Sequence, residues 1–316
     1  MFSRLFLLLE FSSMQKKTLI ITLGDPLGIG PEITLKALKK FPKNKADFII
    51  IGDRKTLQNF KNFPQVKICE VCSAFKKTNK KGPTKWGADI SFKSVLKALD
   101  LLKDKKACAL ITAPISKEGW AKIGVRWTGH TELLRHYAKQ DGALMLFKTS
   151  KLMCALASEH FAIKDLPKIL TKQRIKKALE LLFKITGKKS PVALSALNPH
   201  ASDGGKFGKE EEKILLPLVK EFNKKGFNLT GPLPTDALWQ KHIEGKFKAI
   251  LCLQHDIALL GIKLAARKEP VVHLTAGLKF IRTSPTHGTA FDIAGQNKAD
   301  CSSMLEAIKT AYKLSK

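Results

Sequence analysis

Residues 18–32 read TLIITLGDPLGIGPE, and this stretch decides the fold class. Thr18–Leu23 is apolar and β-branched, which predicts a buried strand. A glycine-rich turn follows, and Pro31 and Glu32 are typical of the first turn of a helix. The turn lacks the last glycine of a dinucleotide-binding GxGxxG, since Ile33 stands there, and no Gly-Lys-Ser/Thr of a P-loop follows. A strand, a tight turn and a helix in this order predict an α/β fold.

The same alternation continues along the chain. Further strands are predicted at 48–51, 66–71, 107–112, 145–147, 153–157, 192–197, 250–253 and 271–275. Predicted helices cover 54–60, 90–102, 174–186, 209–220 and 302–314. This alternation predicts a mostly parallel sheet with helices on both faces, an α/β/α arrangement. A chain of 316 residues is long enough for two lobes with a cleft between them. In such folds, ligands bind at the carboxyl ends of the strands.

The net charge of the chain is strongly positive. Lys and Arg number 56 against 27 Asp and Glu, which gives +29. The basic residues recur as short runs between apolar segments, and aromatic residues are not interleaved with them in a stacking pattern. This favours a basic solvated surface that attracts anionic substrates. A nucleic-acid-binding protein is the alternative from a different class. An apolar fraction of 44% argues against a disordered chain.

The positions of the cysteines and the length of the apolar runs allow a prediction of the cellular compartment. Four of the six cysteines lie in apolar stretches, which is typical of reduced thiols in the cytoplasm. Cys69 and Cys72 form a CxxC, but a zinc ribbon needs a second pair. No run approaches the roughly 18 apolar residues of a membrane span, so we expect a cytoplasmic protein with no membrane partner. Residues 1–13 precede the first patterned strand and are interpreted as an N-terminal extension outside the fold.

Three histidines each follow a predicted strand by a few residues. They are His160, His200 and His255. Side chains that follow neighbouring parallel strands meet at one edge of the sheet, and three imidazoles with open positions describe a catalytic metal site. Asp256 could orient His255 through a hydrogen bond. The pattern indicates a shared metal ion, against the alternative of three separate structural histidines.

Residue types that bind anions occur in two further segments. His130 and Thr131 belong to GHTE before a predicted helix, with Thr131 as its N-cap, and a helix N-terminus binds phosphate well. Arg282 lies in a hydroxyl-rich segment, and Arg binds phosphate or carboxylate bidentately. Lys263 is a candidate for the same anion, and Asp25 is a candidate loop contact. These residues predict a site for a small anionic ligand.

Together, these segments resemble the 4-hydroxythreonine-4-phosphate dehydrogenase family of vitamin B6 (pyridoxine 5'-phosphate) biosynthesis. The matching stretches, in family order and spacing, are ITLGDPLGIGPE, TAPISK, GHTE, SEHFAIKD, LNPHASDGG, GPLPTDALW, QHDIALLGIK and GLKFIRTSPTHGTAFDIAGQNKAD. The resemblance implies a fold like that of the isocitrate and isopropylmalate dehydrogenases. We expect a first lobe formed by 14–132 with 280–316, and a second lobe, 133–279, that carries the metal histidines. The active site is expected in the cleft between them.

The resemblance also implies ligands and partners. It implies NAD or NADP as hydride acceptor, one divalent ion such as zinc, magnesium or cobalt, and a homodimer with active sites near the subunit interface. The family's metal ligands match His160, His200 and His255, and its substrate contacts match His130, Thr131, Lys263 and Arg282. The family has an asparagine nine residues before the arginine, where this chain has His273. We therefore expect His273 to replace that amide. Asp236 and Asp256 are candidates for acid–base work or for support of a metal ligand.

The implied reaction oxidises the C3 hydroxyl of 4-phosphohydroxy-L-threonine to a ketone. The product, 2-amino-3-oxo-4-phosphooxybutanoate, is a β-keto acid that loses carbon dioxide to give 3-amino-2-oxopropyl phosphate. A metal acting as a Lewis acid would stabilise the alkoxide while the cofactor takes the hydride. A same-class alternative is a dehydrogenase of a sugar-acid phosphate, such as threonate or erythronate 4-phosphate. A metal-binding relative without catalysis is a third alternative, which the presence of all three histidines disfavours.

Overall fold

A computed structural model describes residues 16–138 and 143–315, so the predicted extension 1–13 lies outside the described residues. The strands are β1 (Lys17–Thr22), β2 (Ala46–Gly52), β3 (Val66–Glu70), β4 (Ala109–Thr112), β5 (Leu144–Lys148), β6 (Met153–Leu156), β7 (Val192–Ser195), β8 (Leu229–Leu233), β9 (Ala249–Cys252), β10 (Val272–Ala276) and β11 (Ile281–Pro285). The α-helices are α1 (Gly30–Lys40), α2 (Arg54–Leu57), α3 (Lys85–Lys103), α4 (Lys117–Lys122), α5 (His130–Ala138), α6 (Leu166–Ile169), α7 (Lys172–Thr186), α8 (Leu216–Lys224), α9 (Thr235–Ile243), α10 (His255–Ala266) and α11 (Ser302–Leu314). Within these ranges, no helix combines the length and the apolar character needed to cross a membrane.

The strands form one sheet in the order β3-β2-β1-β4-β11-β10-β5-β6-β9-β7-β8. Every pairing that does not involve β5 or β10 is parallel. β10 runs antiparallel to both of its neighbours, β11 and β5, and β5 also runs antiparallel to β6. The predicted α/β class with a mostly parallel sheet is confirmed. The antiparallel strands at its centre are a feature that the sequence pattern does not indicate.

Helices cover both faces of the sheet, which explains why its strands are apolar on both sides. On β1, Leu19 and Ile21 join a core cluster with residues of α1 and α11. Ile20 lies between them in the chain and joins a cluster with residues of α3 and α5. Successive side chains of a strand point to opposite faces, so both sets are buried.

The other half of the sheet repeats this arrangement. On β9, Leu251 joins a cluster with residues of α7 and α8, while Ile250 and Cys252 join one with residues of α9 and α10. Each half therefore has its own buried residues on both faces. The lobe boundaries at 14–132 with 280–316 and at 133–279 stay a prediction.

The glycine-rich turn after β1 packs tightly against a distant loop. Gly24 has a φ of 71°, a conformation that favours glycine. A Cβ atom at Gly30 would lie 2.1 Å from the carbonyl oxygen of Leu23, so a larger residue does not fit. The backbone N–H of Ile29 donates to the carbonyl of Thr289 at 2.9 Å. The turn is therefore joined to the loop that follows β11.

Two strands, β8 and β11, have sequences that are not typical of β-strands. β8 contains Gly231 and Pro232, which are unfavourable inside a sheet, and it lies at the sheet edge, where they are tolerated. β11 reads IRTSP and is mostly polar, yet it lies between β4 and β10. Arg282 therefore lies on a central strand, although its hydroxyl-rich segment was not predicted as a strand. This correction places its side chain inside the protein.

Candidate active site

A cavity of about 310 Å³ lies where several strands end. Residues after the carboxyl ends of β4, β6 and β11 line it, together with the first turn of α5. Its charged and imidazole-bearing residues are Lys117, His130, Glu132, Glu159, His160, Arg282 and His287. Carboxyl ends of parallel strands are where ligands bind in this fold class, as the sequence analysis expected.

Arg282 forms one wall of the cavity and is almost fully buried, with 2% of its surface exposed. Its Nη2 donates to Thr112 Oγ1 at 2.7 Å, and its Nη1 donates to Thr275 Oγ1 at 3.3 Å. Among the described residues no carboxylate pairs with this guanidinium, and Nε has no partner. Burial lowers the pKa of Arg282 to about 9. A buried cation with neutral partners only is incompletely compensated and favours an anionic ligand.

His273 touches Arg282 and does not line the cavity. Arg282 Nη1 donates to His273 Nδ1 at 2.9 Å, and the imidazole stacks on Phe147 with ring centroids 5.3 Å apart. Burial, and then the charge of Arg282, hold the pKa of His273 well below its usual value. The ring is therefore neutral. Its expected contact with substrate stays a prediction, while its contact with Arg282 is a finding.

His130 lies at the start of α5 and faces the cavity. Its Nε2 is buried without a hydrogen-bond partner among the described residues. Burial and the nearby charge of Arg282 hold the pKa of His130 well below its usual value. A buried, unpartnered imidazole nitrogen beside a cation is ready to bind a polar ligand.

The expectation that Thr131 is the N-cap of the following helix is wrong. The helix begins one residue earlier, at His130, so Thr131 lies within its first turn, although it still lines the cavity. Glu132 accepts a hydrogen bond from the backbone N–H of Thr128 at 2.9 Å. Thr128 precedes α5, so this hydrogen bond fixes the chain just before the helix and does not cap its first turn.

The structure brings two of the three predicted metal ligands together. The rings of His160 and His255 have centroids 4.9 Å apart, and Asp256 Oδ1 lies 2.8 Å from His255 Nδ1. Burial and the neighbouring His255 lower the pKa of His160. Across 16–138 and 143–315, no three His, Cys, Asp or Glu side chains form a group that could hold a metal. His200 is exposed and does not complete the pair within this chain.

His200 lies in an unusual backbone segment. Its φ is 53°, and the next three residues also have positive φ values between 43° and 72°. Such conformations cost roughly 1–3 kcal/mol each for residues other than glycine. A run of them persists only if surrounding contacts hold it in place.

Glu211 supplies those contacts. Its Oε1 accepts the backbone N–H groups of Leu197 and Asn198, both at 2.8 Å, and Oε2 accepts the Asn198 amide at 2.8 Å and the Ser202 hydroxyl. The carboxylate is 3% exposed. Burial alone would raise its pKa, but the hydrogen bonds from Ser202, Asn198 and Leu197 outweigh burial and lower it. Glu211 thus fixes both sides of the segment that carries His200.

Other predicted site residues lie apart from the cavity. Lys263 is exposed on α10, and Asp236 is exposed in the first turn of α9. Asp25 is buried, and its Oδ1 accepts the backbone N–H of Leu27 at 3.0 Å. Burial raises the pKa of Asp25 to about 6. None of the three lines the cavity.

Sequence reasoning did not single out three charged residues near the cavity. Lys117 and Glu159 line it, and Arg135 pairs with Glu159 from outside it. Lys117 ends TAPISK and Glu159 is the centre of SEH, so a close reading of those stretches could have found both. Arg135 carries no such signal, because its role depends on a residue 24 positions away.

Comparison with known proteins identifies the family. The family model for the pyridoxal phosphate biosynthetic protein PdxA matches residues 24–311. The chain belongs to the PdxA family. A PdxA relative from Sulfurihydrogenibium sp. (strain YO3AOP1), a 4-hydroxythreonine-4-phosphate dehydrogenase, is 37% identical over 94% of this chain and 98% of its own length. The D-threonate 4-phosphate dehydrogenase of Salmonella typhimurium is 33% identical over 95% of this chain and 100% of its own length.

Solved structures agree with the PdxA assignment. The 4-hydroxythreonine-4-phosphate dehydrogenase of Klebsiella pneumoniae superposes with a TM-score of 0.81 at 29% identity, covering 94% of this chain and 98% of that one. The isocitrate dehydrogenase of Methylococcus capsulatus superposes with a TM-score of 0.54 at 14% identity, covering 94% of this chain and 85% of that one. The second likeness concerns the fold alone. It confirms the expected similarity to the isocitrate dehydrogenase fold.

Proposed function

We propose that this PdxA protein is an NAD(P)-dependent dehydrogenase of 4-phosphohydroxy-L-threonine. It oxidises the C3 hydroxyl to a ketone, and the resulting 2-amino-3-oxo-4-phosphooxybutanoate decarboxylates to 3-amino-2-oxopropyl phosphate. The observation that carries the proposal is the buried guanidinium of Arg282, which has no acidic partner among the described residues and opens onto the cavity. The activity named for the Sulfurihydrogenibium relative supports it.

The proposed phosphate site consists of Arg282, His130 and Thr131. All three line the cavity, and the last two lie in the first turn of α5, where backbone N–H groups are free to bind an anion. Arg282 provides the charge, and its hydroxyl and imidazole partners hold it in place. Lys117 adds a second cation to the same cavity. A volume of about 310 Å³ suits a small metabolite.

NAD or NADP is the proposed hydride acceptor, in line with the dehydrogenase activity named for the relatives. When bound, the nicotinamide takes the hydride from C3. The chain's own residues position the substrate for this transfer. Arg282 and the first turn of α5 would hold the phosphate, and a fixed phosphate restricts where C3 lies in the cavity.

A divalent ion at His160, His200 and His255 stays a proposal. The close approach of His160 and His255 supports it, and Asp256 beside His255 Nδ1 is the arrangement expected of a supported metal ligand. His200 does not join that pair within the chain, so the three histidines of one copy do not fit a single ion as they stand.

We also propose that two copies pair through α10. Leu260 and Leu264 lie one helical turn apart on this helix and are 63% and 69% exposed, which is unusual for a large apolar pair. The same helix begins at His255 and carries the exposed Lys263. A homodimer with active sites near its interface would explain how the exposed Lys263 and His200 take part in a site.

The decisive experiment follows reduction of NAD and NADP on 4-phosphohydroxy-L-threonine and on the unphosphorylated amino acid, each with and without a divalent ion. The phosphorylated compound should have the higher kcat/KM, because each charge-assisted hydrogen bond to phosphate contributes about 1.5–3 kcal/mol. Arg282→Gln should remove most of this difference. Arg54→Gln is the matched control, since Arg54 is 79% exposed on α2 and pairs with Glu70. Equal kcat/KM for both compounds would contradict the proposed site.

The second candidate is a D-threonate 4-phosphate dehydrogenase. It is favoured by the Salmonella typhimurium relative, which aligns over 95% of this chain. Such a substrate presents the same phosphate and a hydroxyl at C3, so the same cavity could receive it. The same assay with D-threonate 4-phosphate separates the two candidates.

A further inference from the structure

The two candidate substrates differ in charge at one carbon. Both have a phosphate at one end and a carboxylate at the other. At C2, 4-phosphohydroxy-L-threonine carries an ammonium group, whereas D-threonate 4-phosphate carries a hydroxyl. Cationic residues such as Arg282 bind what the two compounds share. Only a group that binds the C2 ammonium can discriminate between the two substrates by charge.

The cavity contains two carboxylates, Glu132 and Glu159. Glu159 directly precedes His160 in the chain, and all three side chains line the same cavity. A site for phosphate alone gains nothing from two acids, because like charges repel.

The Glu159 carboxylate is held in place by Arg135, which does not line the cavity. Arg135 Nη1 donates to its Oε2 at 2.7 Å, and Arg135 Nη2 donates to its Oε1. Arg135 is itself fixed through the carbonyl of Ala143 at 2.7 Å, and Arg174 Nε binds the carbonyl of Ala157 at 2.7 Å, two residues before Glu159. The Glu159 side chain is only 11% exposed. A carboxylate offers about four lone pairs, so the Arg135 pair leaves acceptor capacity for a ligand.

Glu132 approaches the same region from the first turn of α5. Its Oε2 accepts the backbone N–H of Thr128, and this hydrogen bond is the main reason why the pKa of Glu132 is lowered. The carboxylate is therefore ionised at neutral pH. Glu132 lines the same cavity as the proposed phosphate site and adds negative charge beside it.

We propose that Glu159 and Glu132 bind the C2 ammonium group of the substrate and so select the amino acid phosphate over the sugar-acid phosphate. This inference rests on the proposed function. An ammonium group is attracted by both carboxylates and can donate up to three hydrogen bonds, whereas a hydroxyl is neutral and can donate only one. Arg135 positions Glu159 and does not touch the ligand.

The test compares kcat and KM on both phosphates for wild type, Glu159→Gln, Glu132→Gln and the control Glu118→Gln. Glu118 is 65% exposed on α4, pairs with Lys122 and does not line the cavity. Wild type should prefer 4-phosphohydroxy-L-threonine at least tenfold in kcat/KM. Each cavity variant should lower that preference at least tenfold, mainly through a higher KM for the amino substrate. Each cavity variant should lose less kcat/KM on D-threonate 4-phosphate than on the amino substrate, and Glu118→Gln should stay within about twofold of wild type on both.

Glu159→Gln also breaks the ion pair with Arg135, so its fold is checked by thermal melting. Glu132→Gln keeps that pair and provides an independent measurement. An equal loss on both substrates would overturn the inference, because it would indicate a catalytic or structural role. A wild-type preference for D-threonate 4-phosphate would overturn it and leave the dehydrogenase assignment standing. Oxidation of neither compound would contradict the proposed function itself.

Discussion

Arg282 Nη1 donates a hydrogen bond of 2.9 Å to Nδ1 of His273. The two residues lie diagonally on β11 and β10, since Arg282 pairs with Thr275 and His273 is two positions away on the same face. Guanidinium is a donor only, so Nδ1 must accept, and the proton of the neutral ring is on Nε2. His273 is therefore a partner of the cavity-lining Arg282, so it can act on a ligand in the cavity through that arginine.

We expect His273→Ala to weaken phosphate binding. It leaves Arg282 Nη1 without its nearest acceptor, so the guanidinium loses orientation, and kcat/KM should fall more than tenfold with most of the change in KM. His273→Asn retains an oxygen acceptor and should stay within about tenfold of wild type, a loss below roughly 1.4 kcal/mol. Steady-state kinetics on folded variants provide the measurement. Wild-type kinetics in His273→Ala would show that this contact does not orient Arg282.

Stability should fall on mild acidification because of His273. Burial and Arg282 hold its folded pKa well below the usual 6.5, so the unfolded chain takes up a proton that the folded chain does not. Its contribution is fully present above pH 6.5 and is lost as pH falls toward the folded pKa. Urea unfolding at pH 7.5 and 5.5 should show a smaller loss in His273→Asn than in wild type, by up to about 1.4 kcal/mol.

Titration of Asp25 has the opposite effect on folding stability over part of this pH range. Its folded pKa is raised to about 6, so its protonation stabilises the folded state as pH falls below that value. This contribution is common to wild type and His273→Asn and cancels in the comparison. Identical pH dependence of the two proteins would contradict a depressed pKa for His273.

Glu211→Ala should weaken metal binding and activity because it releases the segment that carries His200. It removes the acceptor of Leu197 N–H and Asn198 N–H, and unpaired buried donors cost about 1–3 kcal/mol each. The left-handed segment should then relax. We expect weaker Zn²⁺ binding by calorimetry, a loss of unfolding free energy of about 2 kcal/mol or more, and at least a tenfold lower kcat/KM.

Glu212→Ala is the matched control for this variant. Glu212 is adjacent in the chain but exposed, so its replacement should change stability by no more than about 0.5 kcal/mol. If Glu211→Ala loses stability but binds Zn²⁺ as wild type does, Glu211 serves the fold and not the proposed metal site.

Mixed dimers should test whether two copies share one site. His160→Ala and His200→Ala should each be inactive alone. If the exposed His200 of one copy serves the His160–His255 pair of the other, a dimer with one chain of each kind has one intact site and regains activity. Co-expression with two different tags isolates such dimers. Inactive mixed dimers of normal stability would indicate that each chain holds its own ligands.

Local sequence determined many of the elements of this fold, although β8 and β11 do not follow from their own sequences. Strand β1, the turn after it and helix α1 follow from residues 18–32, because apolar and β-branched residues, glycines and a proline act within a few positions. Helix α11 has the bounds that its periodicity predicts. The sequence pointed to His130 and His160, which line the cavity, because one opens a predicted helix and the other follows a predicted strand.

Contacts between distant segments were decided only by the tertiary structure. Arg282 binds Thr112, 170 residues away, and Glu159 binds Arg135 across 24 residues. The antiparallel placement of β10 next to β11 turned His273 toward Arg282, and nothing in its own strand indicates that partner. Periodicity is a property of neighbouring residues and states which side of an element is buried. Pairing partners depend on which strands become adjacent, and that depends on how the whole chain buries its apolar surface.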